Sequence, residues 1–451
     1  MKVIALVDGE HYPPITRWGL DAARQAGHEV LLALLVGGVE KLGADRSLDL
    51  GSVPVIHAEA EPRAALAAAI REHRPEAVLD LSDEPVMGYE RRMELAGVAL
   101  SMGIAYLGSD FRFDPPILES ALPVSTLAVI GAGKRVAKTA IAGHTARLAV
   151  AEGLRPTIVA MGRGGPPDPV RAGPDDVSLE ALLARADRGE HAASDYLEDA
   201  LTSGVPTIGA RRCGGGLGGR PFATNVAEAA QLAAGSGADL VVLEGSGASV
   251  PTVPWDAGVL VAPATIPPEH LGGYFGPLRI LLSDLLVFII GGGSSAEPDN
   301  LSSLYPLVRR LRADIRVAIA ELQPVPLADV RGKDAFFATT AQPELAGHLA
   351  DRLEHISGCR VVSVSAHLAD RAALEADLAA APPFDVLLTE LKAAAVDVGA
   401  RRALERGAEV VFVDNRPRTV GGEGEIDELL RGAVRLAADR WRARTNGTGH
   451  S

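Results

Sequence analysis

The chain has 451 residues, 47% apolar and 23% charged, ordinary values for a globular protein with room for two or three separate cores. Its formal charge of −14 argues against non-specific binding to nucleic acid or an anionic membrane surface, so an anionic ligand needs a local basic pocket. Two cysteines, Cys213 and Cys359, give neither a disulfide framework nor a metal-ligand spacing, which fits a reducing cytoplasm.

The opening MKVIALVDGE is too short an apolar run for a signal peptide. The most apolar segment, 280–290, is interrupted by Asp284 and is far too short to span a bilayer. Residues 1–120 read as an α/β unit. A strand over 2–7 ends at Asp8-Gly9-Glu10-His11, followed by Tyr12-Pro13-Pro14. This rigid polar platform could orient substrate, bind a cation or do acid–base work, against a plain hydrogen-bonded loop. A helix over 16–26 and a strand over 28–35 follow. A helix over 62–73 leads to a strand over 77–81 that ends in Ser82-Asp83-Glu84, and a further helix covers 89–102. Alternating strands and helices predict open parallel sheets in three layers, with ligands beyond the carboxyl ends of the strands. The proline-rich stretch 113–123 reads as a linker.

A second unit, 121–325, opens on LAVIGAGKRVAKTAIAGHT. Leu127 to Ile130 is a short buried strand. The turn that follows holds Gly131, Ala132, Gly133, Lys134, Arg135, Val136 and Ala137, and Lys138-Thr139 opens a helix. Strand, glycine-rich turn, Lys-Thr and helix is the layout of a phosphate-binding loop. Backbone N–H groups wrap a polyphosphate, Lys138 reaches its outer phosphates and Thr139 holds Mg²⁺. The usual pattern G-x-x-x-x-G-K-[ST] has glycine where this chain has Ala132 and Ala137. A dinucleotide fingerprint would need glycine at Val136.

A strand over 156–161 runs into Gly162-Arg163-Gly164-Gly165. Helices are predicted over 179–188 and 192–202, which places His191 and Asp195 at a helix start. Arg211-Arg212-Cys213-Gly214-Gly215 begins a second glycine-rich loop. A helix covers 225–235. A strand over 239–243 carries Glu244 at its carboxyl end, where a carboxylate would hold Mg²⁺ opposite Thr139. Strands over 258–262 and 285–290 complete a parallel sheet, the second ending in Gly291-Gly292-Gly293. Lys134, Arg135, Arg163, Arg211 and Arg212 all lie beside glycines. In so acidic a chain, that placement suggests a densely anionic substrate. The eleven histidines show no H-E-x-x-H spacing, and Ser294-Ser295 lacks a G-x-S-x-G elbow.

A third unit, 326–443, reads as strands over 335–339, 360–365, 386–388 and 410–413 with helices over 343–357, 372–381 and 426–442. Its last strand ends in Asp414-Asn415-Arg416, and a tail, 444–451, frays.

In this order, VIALVDGEHYPPITRW, VIGAGKRVAKTAIAGHTAR, MGRGGP, ARRCGGGLGG and VVLEGSGAS resemble cyclic 2,3-diphosphoglycerate synthetase, over residues 1 to about 440. The centre alone is similar to the wider phosphate-loop group that includes dethiobiotin synthetase, and the third unit faintly to lipid A disaccharide 4′-kinases. The resemblance implies a ligase that uses ATP and Mg²⁺ to cyclise 2,3-diphosphoglycerate with release of ADP and phosphate; a cytoplasmic homodimer is the form expected. Catalytic roles are expected for Lys138, Lys134, Arg135 and Glu244, nucleotide contacts from 131–139 and Asn415, and metal contacts from Thr139 and Glu244. Substrate contacts fall to Asp8, Glu10, His11, Arg163, His191, Arg211, Arg212, Gly214 and Gly215. The rivals are a phosphate-loop kinase or ligase acting on another anion, and a nucleotide-binding switch.

Overall fold

A computed structural model describes residues 1–38, 42, 48–291 and 297–447. The glycine run beyond Gly291, with Ser294-Ser295, and the end of the tail, 448–451, lie outside the described residues.

The first sheet has six strands: β1 (Lys2–Val7), β2 (Glu29–Leu35), β3 (Val55–His57), β4 (Ala77–Asp80), β5 (Ala105–Leu107) and β6 (Arg112–Phe113). Their order is β3-β2-β1-β4-β5-β6, parallel except for the β5/β6 pair. Helices α1 (Pro13–Gln25), α2 (Pro62–His73) and α3 (Tyr89–Ser101) cover it. Proline at the first turn lets α1 start three residues before the expected position 16.

The second sheet is continuous through the rest of the chain. Its strands are β7 (Ser125–Gly131), β8 (Pro156–Gly162), β9 (Val170–Ala172), β10 (Thr207–Cys213), β11 (Ala223–Thr224), β12 (Leu240–Glu244), β13 (Ala257–Pro263), β14 (Leu285–Ile290), β15 (Arg316–Pro326), β16 (Asp334–Ala338), β17 (Arg360–Ser365), β18 (Val386–Thr389) and β19 (Glu409–Gly422). The order is β11-β10-β8-β12-β7-β13-β14-β15-β19-β18-β16-β17, with β9 on β10. The inner strands are parallel and covered on both faces, which is why β7, β8 and β12 are buried at every residue.

The helices of this part are α4 (Lys138–Ala151), α5 (Leu179–Asp187), α6 (Asp195–Ser203), α7 (Val226–Gly235), α8 (Pro268–Gly272), α9 (Gly276–Leu281), α10 (Glu297–Leu311), α11 (Pro343–Ser357), α12 (Arg371–Ala380), α13 (Arg401–Glu405) and α14 (Ile426–Gly447). On one face of the sheet, Val226, Ala229 and Ala230 of α7 and Leu304 and Val308 of α10 pack on Ile130, Leu243 and Leu260. On the other, Ile141 and Ala142 of α4 and Leu430 and Val434 of α14 pack on Leu127, Val129 and Val259.

Two expectations are corrected. Asp414-Asn415-Arg416 does not end a strand: β19 runs on for nine residues beyond Val413, antiparallel to β15. The sheet is dominated by parallel pairs, with β9, β11 and the β15/β19 pair antiparallel. The chain from Arg444 does not fray at once, since Arg444 lies in α14 and binds Asp256 at 2.8 Å and the carbonyl of Leu122 at 2.8 Å. The N-terminal sheet docks through α3 on α9, where Gly97 leaves only 3.0 Å between its absent Cβ and the Leu278 nitrogen.

Candidate active site

β7 delivers the chain into the loop at Gly131, and α4 opens at Lys138. Arg135 (φ 59°) and Ala137 (φ 72°) are both left-handed, a conformation that costs a non-glycine residue roughly 1–2 kcal/mol. The turn that glycine usually makes before the lysine is thus kept by Ala137 under strain. Lys138 lies across the loop and donates to the Gly133 carbonyl at 2.9 Å. A Cβ on Gly131 would stand 2.9 Å from its Cδ and 3.0 Å from its Nζ. Burial lowers the Lys138 pKa, while the Glu244 and Asp195 charges pull it back up. Lys134 and Arg135 stand exposed at the crown of the loop.

β12 lies between β7 and β8 and sets Glu244 beside Val129 and Ala160. The Thr139 hydroxyl donates to Glu244 Oε1 at 2.7 Å. A hydroxyl at a helix start and a carboxylate at a strand end are hard oxygen donors that would suit a hydrated Mg²⁺. Among the described residues, no group of three or more His, Cys, Asp or Glu could hold a metal alone. Burial, then the Asp195 charge, raise the Glu244 pKa. Asp199 is fully buried and its carboxyl oxygens have no hydrogen-bond donor. Burial, then the adjacent Glu244, push its pKa well above the usual carboxylate range.

Arg163 and Arg212, whose charges reach Lys138, line a cavity of about 520 Å³ with Cys213, Gly214–Gly216, Ala248 and Ser249. Arg212 donates to the carbonyls of Gly214 at 2.7 Å and Ser246 at 2.9 Å, and its buried Nε has no partner. Gly247 lets two guanidiniums converge: its absent Cβ would be 3.1 Å from Arg163 Nη2 and 3.2 Å from Arg212 Nη2. Burial, then Arg163, lower the Arg212 pKa. Two converging cations that, among the described residues, make no carboxylate ion pair form an anion site.

The other expected residues are placed apart from this cavity. Arg211 points to the opposite face of β10, exposed, with Nε on the Gly165 carbonyl at 3.2 Å. Strand alternation separates it from Arg212. His191 precedes α6 rather than lying at its start, and its Nδ1 is 2.8 Å from Ser194 Oγ. With Glu190, Arg371 and Asp397 it lines a second cavity of about 250 Å³. Asp8 organises its own loop, accepting from the backbone of Glu10 (3.0 Å), His11 (3.2 Å) and Asp83 (2.8 Å) and bonding His11 Nδ1 at 2.8 Å. Asn415 donates to Glu390 at 2.6 Å. Sequence reasoning passed over Asp199, although Asp195 and Asp199 have the i, i+4 spacing that puts two carboxyls on one helix face.

Family models describe residues 2–114, 126–320 and 326–416 as the N-terminal, P-loop and C-terminal domains of cyclic 2,3-diphosphoglycerate synthetase. Three similar proteins carry the name cyclic 2,3-diphosphoglycerate synthetase. That of Rubrobacter xylanophilus is 45% identical, covering 96% of this chain and 98% of its own. That of Thermococcus kodakarensis is 40% identical over 98% and 100%, and that of Methanothermus fervidus 37% over 97% and 98%. Among solved structures, a DUF1611 family protein from Anabaena variabilis covers 80% of this chain and 94% of its own at 13% identity and a TM-score of 0.20. The chain belongs to the cyclic 2,3-diphosphoglycerate synthetase family.

Proposed function

We propose that this protein is an ATP-dependent ligase that closes 2,3-diphosphoglycerate to cyclic 2,3-diphosphoglycerate, with release of ADP and phosphate. The carrying observation is the convergence of Arg163 and Arg212 on one cavity, with charges that reach Lys138. One substrate phosphate attacks the γ-phosphorus of ATP, and ADP leaves. The second substrate phosphate attacks the phosphorus of the first, and the P–O bond to the former γ-phosphoryl breaks to release phosphate. Two unit charges 4 Å apart repel by about 4 kcal/mol at an effective dielectric near 20, and each substrate phosphate carries more than one. Arg163 and Arg212 offset that repulsion and hold the two groups within reach. Lys138 meets charge on the transferring phosphoryl group, and Lys134 and Arg135 extend the positive field over the loop.

Mg²⁺ is the metal proposed for Thr139 and Glu244, where it would neutralise phosphate charge. The cytoplasm is the proposed location and a homodimer the proposed assembly. Among the described residues no helix is long and apolar enough to cross a membrane. The division at 1–120, 121–325 and 326–443, and the roles of Asp8, Glu10, His11, Arg211, His191, Gly214, Gly215 and Asn415, are part of this proposal. Phosphorus NMR of the protein with ATP, Mg²⁺ and 2,3-diphosphoglycerate tests it. A cyclic pyrophosphate resonance that Lys138→Ala abolishes is expected. Its absence from the wild type, under conditions where ATP is bound, refutes the reading.

A further inference from the structure

The C-terminal part of the chain reaches the site through Lys392, just after β18. Its ammonium lies 3.1 Å from Glu198 Oε1 and 3.7 Å from Glu390 Oε1. Glu390 is itself fixed, accepting from the Thr340 backbone at 3.1 Å, the Thr340 hydroxyl at 3.0 Å and Asn415 at 2.6 Å. Glu198 sits on α6 between Asp195 and Asp199. The Asp199 carboxyl, which meets Glu244, has no donor of its own, so its place depends on how α6 is docked. Arg147 holds the far end of α6 through the Thr202 carbonyl at 2.7 Å. Tyr196, Leu197 and Ala200 pack with Leu391 and Phe412.

Burial opposes the charge on Lys392, but the Glu198 and Glu390 carboxylates beside it outweigh that and hold its pKa above the ordinary range, so the ammonium ties α6 to the turn after β18.

We propose that Lys392 is a positioning residue for the phosphate-loop site, fixing α6 so that Asp195 and Asp199 stand against Glu244 and Lys138. This rests on the synthetase reading. The test is the steady-state kinetics of cyclisation by full-length wild type, Lys392→Met, Lys392→Arg and Glu198→Gln, with thermal melts of each. A wild type that makes no cyclic product overturns the reading beneath the inference. If the wild type turns over, Lys392→Met is expected to lose about tenfold or more in kcat, with both KM values within about twofold. Lys392→Arg should recover most of that loss. Glu198→Gln, which keeps the side-chain shape, should reproduce it should Lys392→Met fail to fold. Wild-type kcat in a folded Lys392→Met or Glu198→Gln protein, or losses that merely track the unfolded fraction, overturn the proposal.

Discussion

Replacing Gly131 by alanine tests whether the loop was built around the lysine stem. The new methyl would stand 2.8 Å from Val136 Cγ2, 2.9 Å from Lys138 Cδ and 3.0 Å from Lys138 Nζ. Carbon atoms rest about 3.5–4.0 Å apart, so the Lys138 stem must yield by roughly 0.5–1 Å. Gly131 has no left-handed φ, so the effect is steric rather than backbone strain. A flexible stem gives way cheaply, and the fold should lose about 1 kcal/mol, the low end of overpacking penalties. At about 2–4 °C per kcal/mol, the melting temperature falls only slightly. Catalysis loses more, because a charge displaced by about 1 Å from a transferring phosphoryl group can cost about 10²-fold. Coupled ADP release in the presence of 2,3-diphosphoglycerate gives kcat, and calorimetry gives stability. Gly133→Ala is the stability control. Its methyl meets only Val136 Cγ1 at 3.9 Å, so its melting temperature should stay within about 1 °C of wild type. A Gly131→Ala protein with wild-type kcat refutes the argument.

Arg212→Gln removes charge-assisted bonds to an anion, each worth about 1.5–3 kcal/mol. It should raise KM for 2,3-diphosphoglycerate by about 10- to 100-fold and leave KM for ATP within about twofold. Equal effects on both substrates in steady-state assays would put the ligand elsewhere. Asp199 titrates above its unfolded value near 3.9, so its contribution is fully present below that pH and is lost as pH rises towards the folded pKa. Asp199→Asn should therefore gain in melting temperature over wild type on going from pH 5 to pH 8, and a shrinking difference contradicts the raised Asp199 pKa. Arg444→Ala deprives buried Asp256 of a partner that Thr126 only partly replaces through its backbone and hydroxyl at 2.9 Å. A loss of about 1–3 kcal/mol is expected, read as a lower melting temperature with unchanged KM values.

The middle strands and the phosphate loop are legible in the sequence because parallel strands buried on both faces must be nearly continuous apolar runs. The Thr139–Glu244 contact follows from the same topology, since adjacent parallel strands bring their carboxyl ends together. The failures have equally local causes. Arg211 and Arg212 read as one basic cluster, yet the two-residue period of β10 sends them to opposite faces. β15 contains Pro324 and Pro326 and carries Glu321, which argues against a strand. Pro324 in fact faces Asn415 in a two-stranded ribbon with β19, where Glu321 binds Arg352 and Arg418. The i, i+4 spacing puts Asp195 and Asp199 on one helix face, but the burial of Asp199 against Glu244 is set by the fold and not by that spacing.

The ribbon of β15 and β19 also shows why the phosphate loop cannot be understood from the middle of the chain. β15 continues the parallel sheet from β14, and β19 turns that edge into an antiparallel junction with β18 beyond it. An edge with free N–H and C=O groups would otherwise be left open there. The same strand carries Asp414, which pairs with Arg147 of α4 at 3.1 Å. The following helix brings Asp427 to His144 of α4 at 2.7 Å. The helix that opens with Lys138 is thus gripped along its length by residues nearly three hundred positions later. Lys392 grips α6, across the site, from the same part of the chain. The helices that carry Lys138 and Asp199 are thus both held by side chains of the C-terminal part.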